Sequence, residues 1–229
     1  MLRIPSSQLR SIVSAVLILL SCSGNARSLD LSLQHTVIGK PLILDSLRYQ
    51  TSARETFSIS RLSYLLSEFE LQSTAGNWLV LPNSIQWIDA KKHRTQILLD
   101  SIPEGDFKAI RFNLGLNEEI NHSDPNLYAA NHPLNPNLNN LHWNWQTGYI
   151  FLALEGTYRQ SNGQLSGYVY HFANDPQRTT ITLTLAKNIT ANAALDIDFD
   201  IAALLNAPVP ISFSKDGAST HSREDDPIP

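Results

Sequence analysis

The sequence predicts an all-β chain, an immunoglobulin-like antiparallel β-sandwich with a long loop ahead of a Trp-x-Trp strand. Two observations lead there. Short runs rich in Val, Ile, Leu, Thr and Tyr alternate with polar residues at a period of two. Turn formers separate these runs, proline (12) outnumbering glycine (10), and only Ile201–Asn206 reads as a short helical turn. With 42% hydrophobic and 17% charged residues, the 229-residue chain is long enough for one sizeable core.

The elements follow in order. Arg3 and Arg10 precede the apolar run Ile12–Leu20, which is too short for a stable membrane anchor. A basic flank, a short apolar stretch and then small residues form the layout of a secretory signal, here expected over residues 1–28. Leu19-Leu20-Ser21-Cys22 also resembles a bacterial lipobox, which makes Cys22 a lipidation candidate beside an ordinary cleavage near Ala26 or Ser28. The folded domain is expected over 29–213. Leu31, Leu33, His35 and Val37 share one face of its first strand. Phe57 and Ile59, then Leu62, begin a second strand that runs on to Leu71, and Ala75-Gly76-Asn77 turns the chain into Trp78–Leu81. Ile110, Phe112 and Leu114, then Ile181, Leu183 and Leu185, then Leu195, Ile197 and Phe199 repeat the alternation. Two regions break the rhythm. Residues 117–142 are rich in Asn, Asp and Pro and form a loop of a length expected to be functional or disordered. The polar stretch 214–229 is expected to be a disordered tail.

Composition excludes several functions. Residues 1–21 contain two arginines and no acid, so the remainder carries 15 basic against 21 acidic residues, a formal charge of −6. No basic footprint for nucleic acid is present. Cys22 and the initiator Met1 are the only sulfur residues, so thiol catalysis and a sulfur-rich metal site are both excluded. No Gly-x-Ser-x-Gly elbow, His-Glu-x-x-His pair or phosphate-binding glycine loop occurs. The chain is therefore expected to bind rather than to catalyse.

Seven histidines remain, at 35, 93, 122, 132, 142, 171 and 221. His93 sits among Lys91, Lys92 and Arg94 in a turn, and His221 falls in the tail. Alternation aligns His35 with Leu31, Leu33 and Val37, and His171 with Leu165, Gly167 and Val169. Such imidazoles are either satisfied core histidines or oriented ligands. The densest aromatic run is His142–Gly156, where Trp143 and Trp145 stand two apart and share a face if extended. They are either a packed aromatic pair or neighbours of the histidines.

The stretch Leu141-His142-Trp143-Asn144-Trp145-Gln146-Thr147-Gly148-Tyr149-Ile150-Phe151-Leu152-Ala153-Leu154-Glu155-Gly156 closely resembles the hallmark of the MbnP-like family, methanobactin-associated periplasmic copper-binding proteins. His35–Leu42 is similar to that family's opening strand, Leu62–Ser67 to its YxxS strand and Ile102–Phe107 to its P-x-G-x-Y/F turn. Phe112–Leu116, Asn121–Pro125 and Tyr170-His171 follow in the same order, so the likeness spans residues 31–205. Phe172-Ala173-Asn174 stands where a glycine pair is usual, and His142 precedes the first tryptophan as a bystander.

The resemblance implies a periplasmic protein or outer-membrane lipoprotein that binds copper, as Cu(I) or Cu(II), for uptake, storage or delivery. It implies a diheme, MauG-like partner (MbnH) that oxidises one tryptophan to kynurenine, and an outer-membrane transporter as a further partner. Carried over residue by residue, His35, His171 and then His122 are the ligand candidates, Trp143 the first and Trp145 the second candidate for oxidation. Imidazole suits copper, and an unmodified indole offers only a donor N–H, so oxidation would supply the missing donor. The competing expectation is a metal-free envelope binding module that uses Trp143 and Trp145 as a contact patch.

Overall fold

A computed structural model of the chain describes residues 13–18, 27–82, 84–143, 148–190, 192–206 and 210–222. Its strands in chain order are β1 (Val13–Ile18), β2 (Leu29–Val37), β3 (Lys40–Pro41), β4 (Tyr49–Gln50), β5 (Thr56–Ser73), β6 (Trp78–Val80), β7 (Gln86–Asp89) and β8 (Gln96–Leu99). There follow β9 (Phe107–Leu114), β10 (His142–Trp143), β11 (Gly148–Arg159), β12 (Leu165–Ala173), β13 (Thr179–Ile189), β14 (Ala194–Asp200) and β15 (Ser219–Thr220). Short helices α1 (Glu118–Asn121) and α2 (Pro136–Asn139) lie in the long loop, and α3 (Ile201–Asn206) is the helical turn expected from the sequence. No helix among the described residues is long and apolar enough to cross a membrane. Cys22 lies outside the described residues, and β1, within the expected export signal, runs antiparallel along β14.

Two sheets make the all-β sandwich. The smaller has the order β1-β14-β2-β3, with β8 also on β2; the larger runs β13-β9-β5-β11-β12-β15, with β10 on β11 and β4, β6 and β7 on β5. Leu29, Leu31, Leu33, Leu195, Ile197 and Phe199 of the smaller sheet close against Ile59, Leu62, Tyr64, Ile110, Leu154 and Tyr170 of the larger one. Among the described residues the expected antiparallel pattern holds with two exceptions: β14 runs parallel to β2, and β15 parallel to β12. A period of two encodes which face is buried and carries no information on the direction of the neighbour.

The long strand β5 shows how sequence parity becomes shape. Its core residues are odd-numbered at Phe57 and Ile59, even-numbered from Leu62 to Leu66, and odd-numbered again at Phe69 and Leu71. Each switch needs an extra residue. The first falls at Ser60, where the register with β11 jumps from Ile59–Gly156 to Arg61–Glu155. The second falls at Glu68, whose φ of 53° lies in the left-handed region, and the register with β9 shifts between Ser67 and Glu70.

At the first bulge the backbones of β5 and β11 approach closely. A Cβ on Gly156 would overlap the Ser58 carbonyl oxygen and come within 2.7 Å of the Tyr168 Oη. Gly156→Ala is therefore expected to destabilise the fold by about 3 kcal/mol. For a domain of this size that lowers Tm by roughly 6–12 °C, measurable by thermal melting.

The long loop is ordered. Its Asn and Asp residues serve as caps: Asn117 Oδ1 accepts from the Ile120 amide at 2.9 Å, Asp124 from Asn126 and Asn135 from Asn137. Capped in this way, the loop lies over the outer face of the larger sheet. There Leu134, Leu141, Leu116, Trp87, Leu65, Phe151 and Ala153 form a second apolar core. Tyr149 fastens the cover, its hydroxyl donating to the Leu134 carbonyl at 2.7 Å and its amide to Asn121 Oδ1 at 2.8 Å.

The tail expected to be disordered from residue 214 is instead fixed through Ser222. Phe213 stacks on Tyr168 at 4.5 Å, the Val169 amide donates to the Ala218 carbonyl, and Tyr170 Oη donates to the Gly217 carbonyl. Polar composition misled because this segment is held by backbone pairing at a sheet edge, which requires little apolar side-chain area. Residues 223–229 lie outside the described residues.

Candidate metal centre

The second core and the tail meet at three rings. Trp143, at the end of β10, is 8% exposed. His171, near the C-terminal end of β12, lies against it with ring centroids 5.9 Å apart. His221, from the tail, lies 5.8 Å from Trp143 and 5.4 Å from His171. Two distant parts of the chain thus converge on one strand. β10 folds back on β11 by pairing Trp143 with Gly148. Behind β15, Ser222 Oγ donates to the His171 carbonyl and accepts from the Ala173 amide, both at 2.9 Å, which fixes the chain next to His221.

His171 is 9% exposed, and its two nitrogens differ. Nε2 lies 2.8 Å from Glu155 Oε1. Nδ1 is buried with no hydrogen-bond partner. A buried polar atom left unmet costs about 1–3 kcal/mol, so this nitrogen calls for a partner, whether a water, an ion or a ligand. Glu155 also accepts from Arg61 Nη1 at 2.7 Å. The hydrogen bond with His171, together with the Arg61 charge, outweighs partial burial and lowers the Glu155 pKa to about 2, so it is a carboxylate at any ordinary pH.

The residues expected as ligands do not all meet here. His35 enters the inter-sheet core as alternation predicts, its Nε2 hydrogen-bonded to Tyr64 Oη at 2.9 Å and its ring edge-on to Phe199. Ala153 pairs with both Ser63 and His171, whereas Tyr64 is the next residue along β5 and points to the opposite face. His35 and His171 therefore stand on opposite faces of the larger sheet and cannot share one ion. His122 is exposed at the end of α1, with Nε2 3.0 Å from Asp175 Oδ2. His142 sits edge-on to Tyr149, on the side of β10 opposite Trp143. Trp145 lies outside the described residues.

Reading His171 into an apolar face with Leu165, Gly167 and Val169 also needs correction. Leu165 is 57% exposed, and the core face of β12 carries Tyr168, Tyr170 and Phe172. The His171 face is covered only where the loop and tail fold over it. His221 and Glu155 were not singled out from the sequence. His221 gives no local signal; Glu155 does, as a charge that ends the apolar run Tyr149–Leu154.

Burial lowers the His35 pKa from 6.5 to about 4, with Asp89 opposing the shift. The unfolded chain then binds more protons than the folded one between about pH 4 and 6.5. Stability is complete above that window and declines as pH falls through it, by up to about 3 kcal/mol. Urea unfolding at pH 4.5 and 7.5 is expected to show this loss in the wild type and to show less of it in His35→Gln.

Chemically, the cluster can offer two imidazoles to a metal. An imidazole centroid lies roughly 3 Å from an ion bound at its nitrogen, so two rings 5.4 Å apart fit one ion between them. Among the described residues, no group of three or more His, Cys, Asp or Glu side chains is placed to hold a metal. The third ring of the cluster is an indole, which has no lone pair to give. Two imidazoles beside an unmodified indole are therefore an incomplete donor set for a metal.

Comparison with known proteins gives a consistent picture. A family model described as MbnP matches residues 26–222. The solved structure of MbnP from Methylosinus trichosporium superposes with a TM-score of 0.59 at 16% identity, over 89% of this chain and 86% of that one. No curated protein matches.

Proposed function

The chain belongs to the MbnP family, and we propose that it is an exported, non-enzymatic copper-binding protein whose site is His171, His221 and an oxidised Trp143. One observation carries this reading: the three rings lie within 5.4–5.9 Å of one another, and the buried His171 Nδ1 has no partner. Copper is favoured because imidazole donors without sulfur suit it, and because Trp143 can be turned into the donor the cluster lacks. Oxidation to kynurenine consumes dioxygen and water, or the equivalent from peroxide, and releases formic acid. It opens the pyrrole ring and leaves an aniline nitrogen and a ketone oxygen with lone pairs. A diheme partner enzyme would supply the oxidation, and the periplasm, with or without a lipid on Cys22, would be the compartment.

The metal-free contact-patch reading loses support at Trp143, whose ring is buried and offers little surface to a partner.

Intact mass and copper titration test the proposal together. Protein exported in the presence of its diheme partner is expected to differ from unmodified protein by one carbon lost and one oxygen gained. The modified form is expected to bind one copper ion per chain and the unmodified form to bind it far more weakly. Modified and unmodified forms with equal copper affinity would overturn the role given to Trp143.

A further inference from the structure

Resting on that reading, we infer that Glu155 and Arg61 form a positioning relay that fixes which nitrogen of His171 meets the metal and ties it to the strand carrying Trp143. A neutral imidazole has one N–H and one lone pair, and the group beside one nitrogen decides which is which. Arg61 Nη1 donates to Glu155 Oε1, which in turn lies 2.8 Å from His171 Nε2, so this contact favours the neutral ring with its proton on Nε2. The lone pair is then on Nδ1, the buried nitrogen without a partner. A carboxylate behind a ligating histidine both orients the ring and raises its basicity as a donor.

Arg61 gives the relay its second half. Nη1 holds Glu155 Oε1 at 2.7 Å, and Nη2 donates to the Asn140 carbonyl at 2.9 Å. Asn140 ends α2 in the left-handed region, with φ 52° and ψ 39°, and lies three residues before Trp143. One guanidinium therefore links the residue behind His171 to the turn that delivers Trp143. Arginine suits the task because its planar fork serves two acceptors at fixed directions, which a lysine ammonium does not. Cross-strand pairing of Glu155 with Arg61 and of Ala153 with His171 places all these groups on the outer face of the larger sheet.

Nitrogen-15 shifts of His171 in copper-free protein, with copper titrations of the same variants, form the test. In the wild type, His171 is expected to be the Nε2–H tautomer. Glu155→Gln and Glu155→Leu are expected to populate the Nδ1–H form while the melting transition stays cooperative. Copper affinity is expected to fall by about 10- to 100-fold, as for other carboxylates behind ligating histidines. Arg61→Lys is expected to keep the tautomer and lose part of the affinity. If both Glu155 variants keep the wild-type tautomer and bind copper within about twofold of wild type, while His171→Ala loses it, the relay is refuted and the metal site stands. If His171→Ala itself retains full affinity, the metal site and the relay both fail. Glu155→Gln keeps the shape of the side chain, so the test remains decisive even where Glu155→Leu does not fold.

Discussion

Modified protein carrying His171→Ala or His221→Ala is expected to bind copper more than about 100-fold more weakly than wild type, a larger loss than removal of a supporting group causes. His35→Ala and His122→Ala are expected to stay within a few-fold. The contrast follows from position: His35 lies on the opposite face of the larger sheet, and His122 is exposed at the end of α1 beside Asp175. His171 and His221 face each other at 5.4 Å across the outer core, whereas His35 meets Tyr64 and Phe199 between the sheets. Competitive titration against a copper chelator of known affinity measures all four variants on one scale. A His221→Ala protein that binds as tightly as wild type would remove the tail from the site. A His35→Ala protein that loses copper would mean that the ion enters the inter-sheet core instead.

Much of the fold was legible because alternation reports burial directly. Leu31, Leu33 and Val37 are buried, and so are Ile181, Leu183 and Leu185, as their spacing requires. The parity switches within β5 were not expected: the run from Phe57 to Leu71 reads as one continuous strand, and the two bulges appear only in its register with β11 and β9. Strand direction could not be read: β2 and β14 run parallel although each pattern reads like an antiparallel one.

The site was less legible, for a related reason. Alternation aligned His35 with an apolar face, and it meets Tyr64 and Phe199 in the inter-sheet core; the face it gave His171 is not the core face of β12, and His171 is buried beneath the loop and tail instead. A pattern of period two names a face without saying what covers it. The cover over His171 comes from a loop whose Asn and Pro content resembled disorder, and from a tail held mainly by main-chain bonds. His221 is brought to Trp143 by β15, a two-residue strand that no periodicity analysis can detect. The ordered motifs around Trp143 identified the family, but the residues completing the cluster emerge only from the three-dimensional arrangement.

Trp143→Phe is expected to abolish both the mass change and tight copper binding, and to leave the fold in place. Phenylalanine keeps an aromatic ring in the outer core that includes Leu141 and Ala173, so the loss of ring volume costs about 1–2 kcal/mol, too little to unfold a domain of this size. A benzene ring has no pyrrole to open and no nitrogen to release, so no donor can form at this position whatever the oxidising partner does. Trp145→Phe, by contrast, is expected to be modified and to bind copper as wild type does, because Trp143 is, among the described residues, the indole that lies against both histidines. Peptide mapping of the exported, partner-treated proteins assigns the altered residue, and copper titration of the same samples shows whether the change matters. Kynurenine found at 145 in the wild type, with Trp143→Phe retaining tight copper binding, would transfer the donor role to the second tryptophan. An unmodified, folded Trp143→Phe protein that no longer holds copper would establish that the ring packed against His171 and His221 is the precursor of the missing ligand.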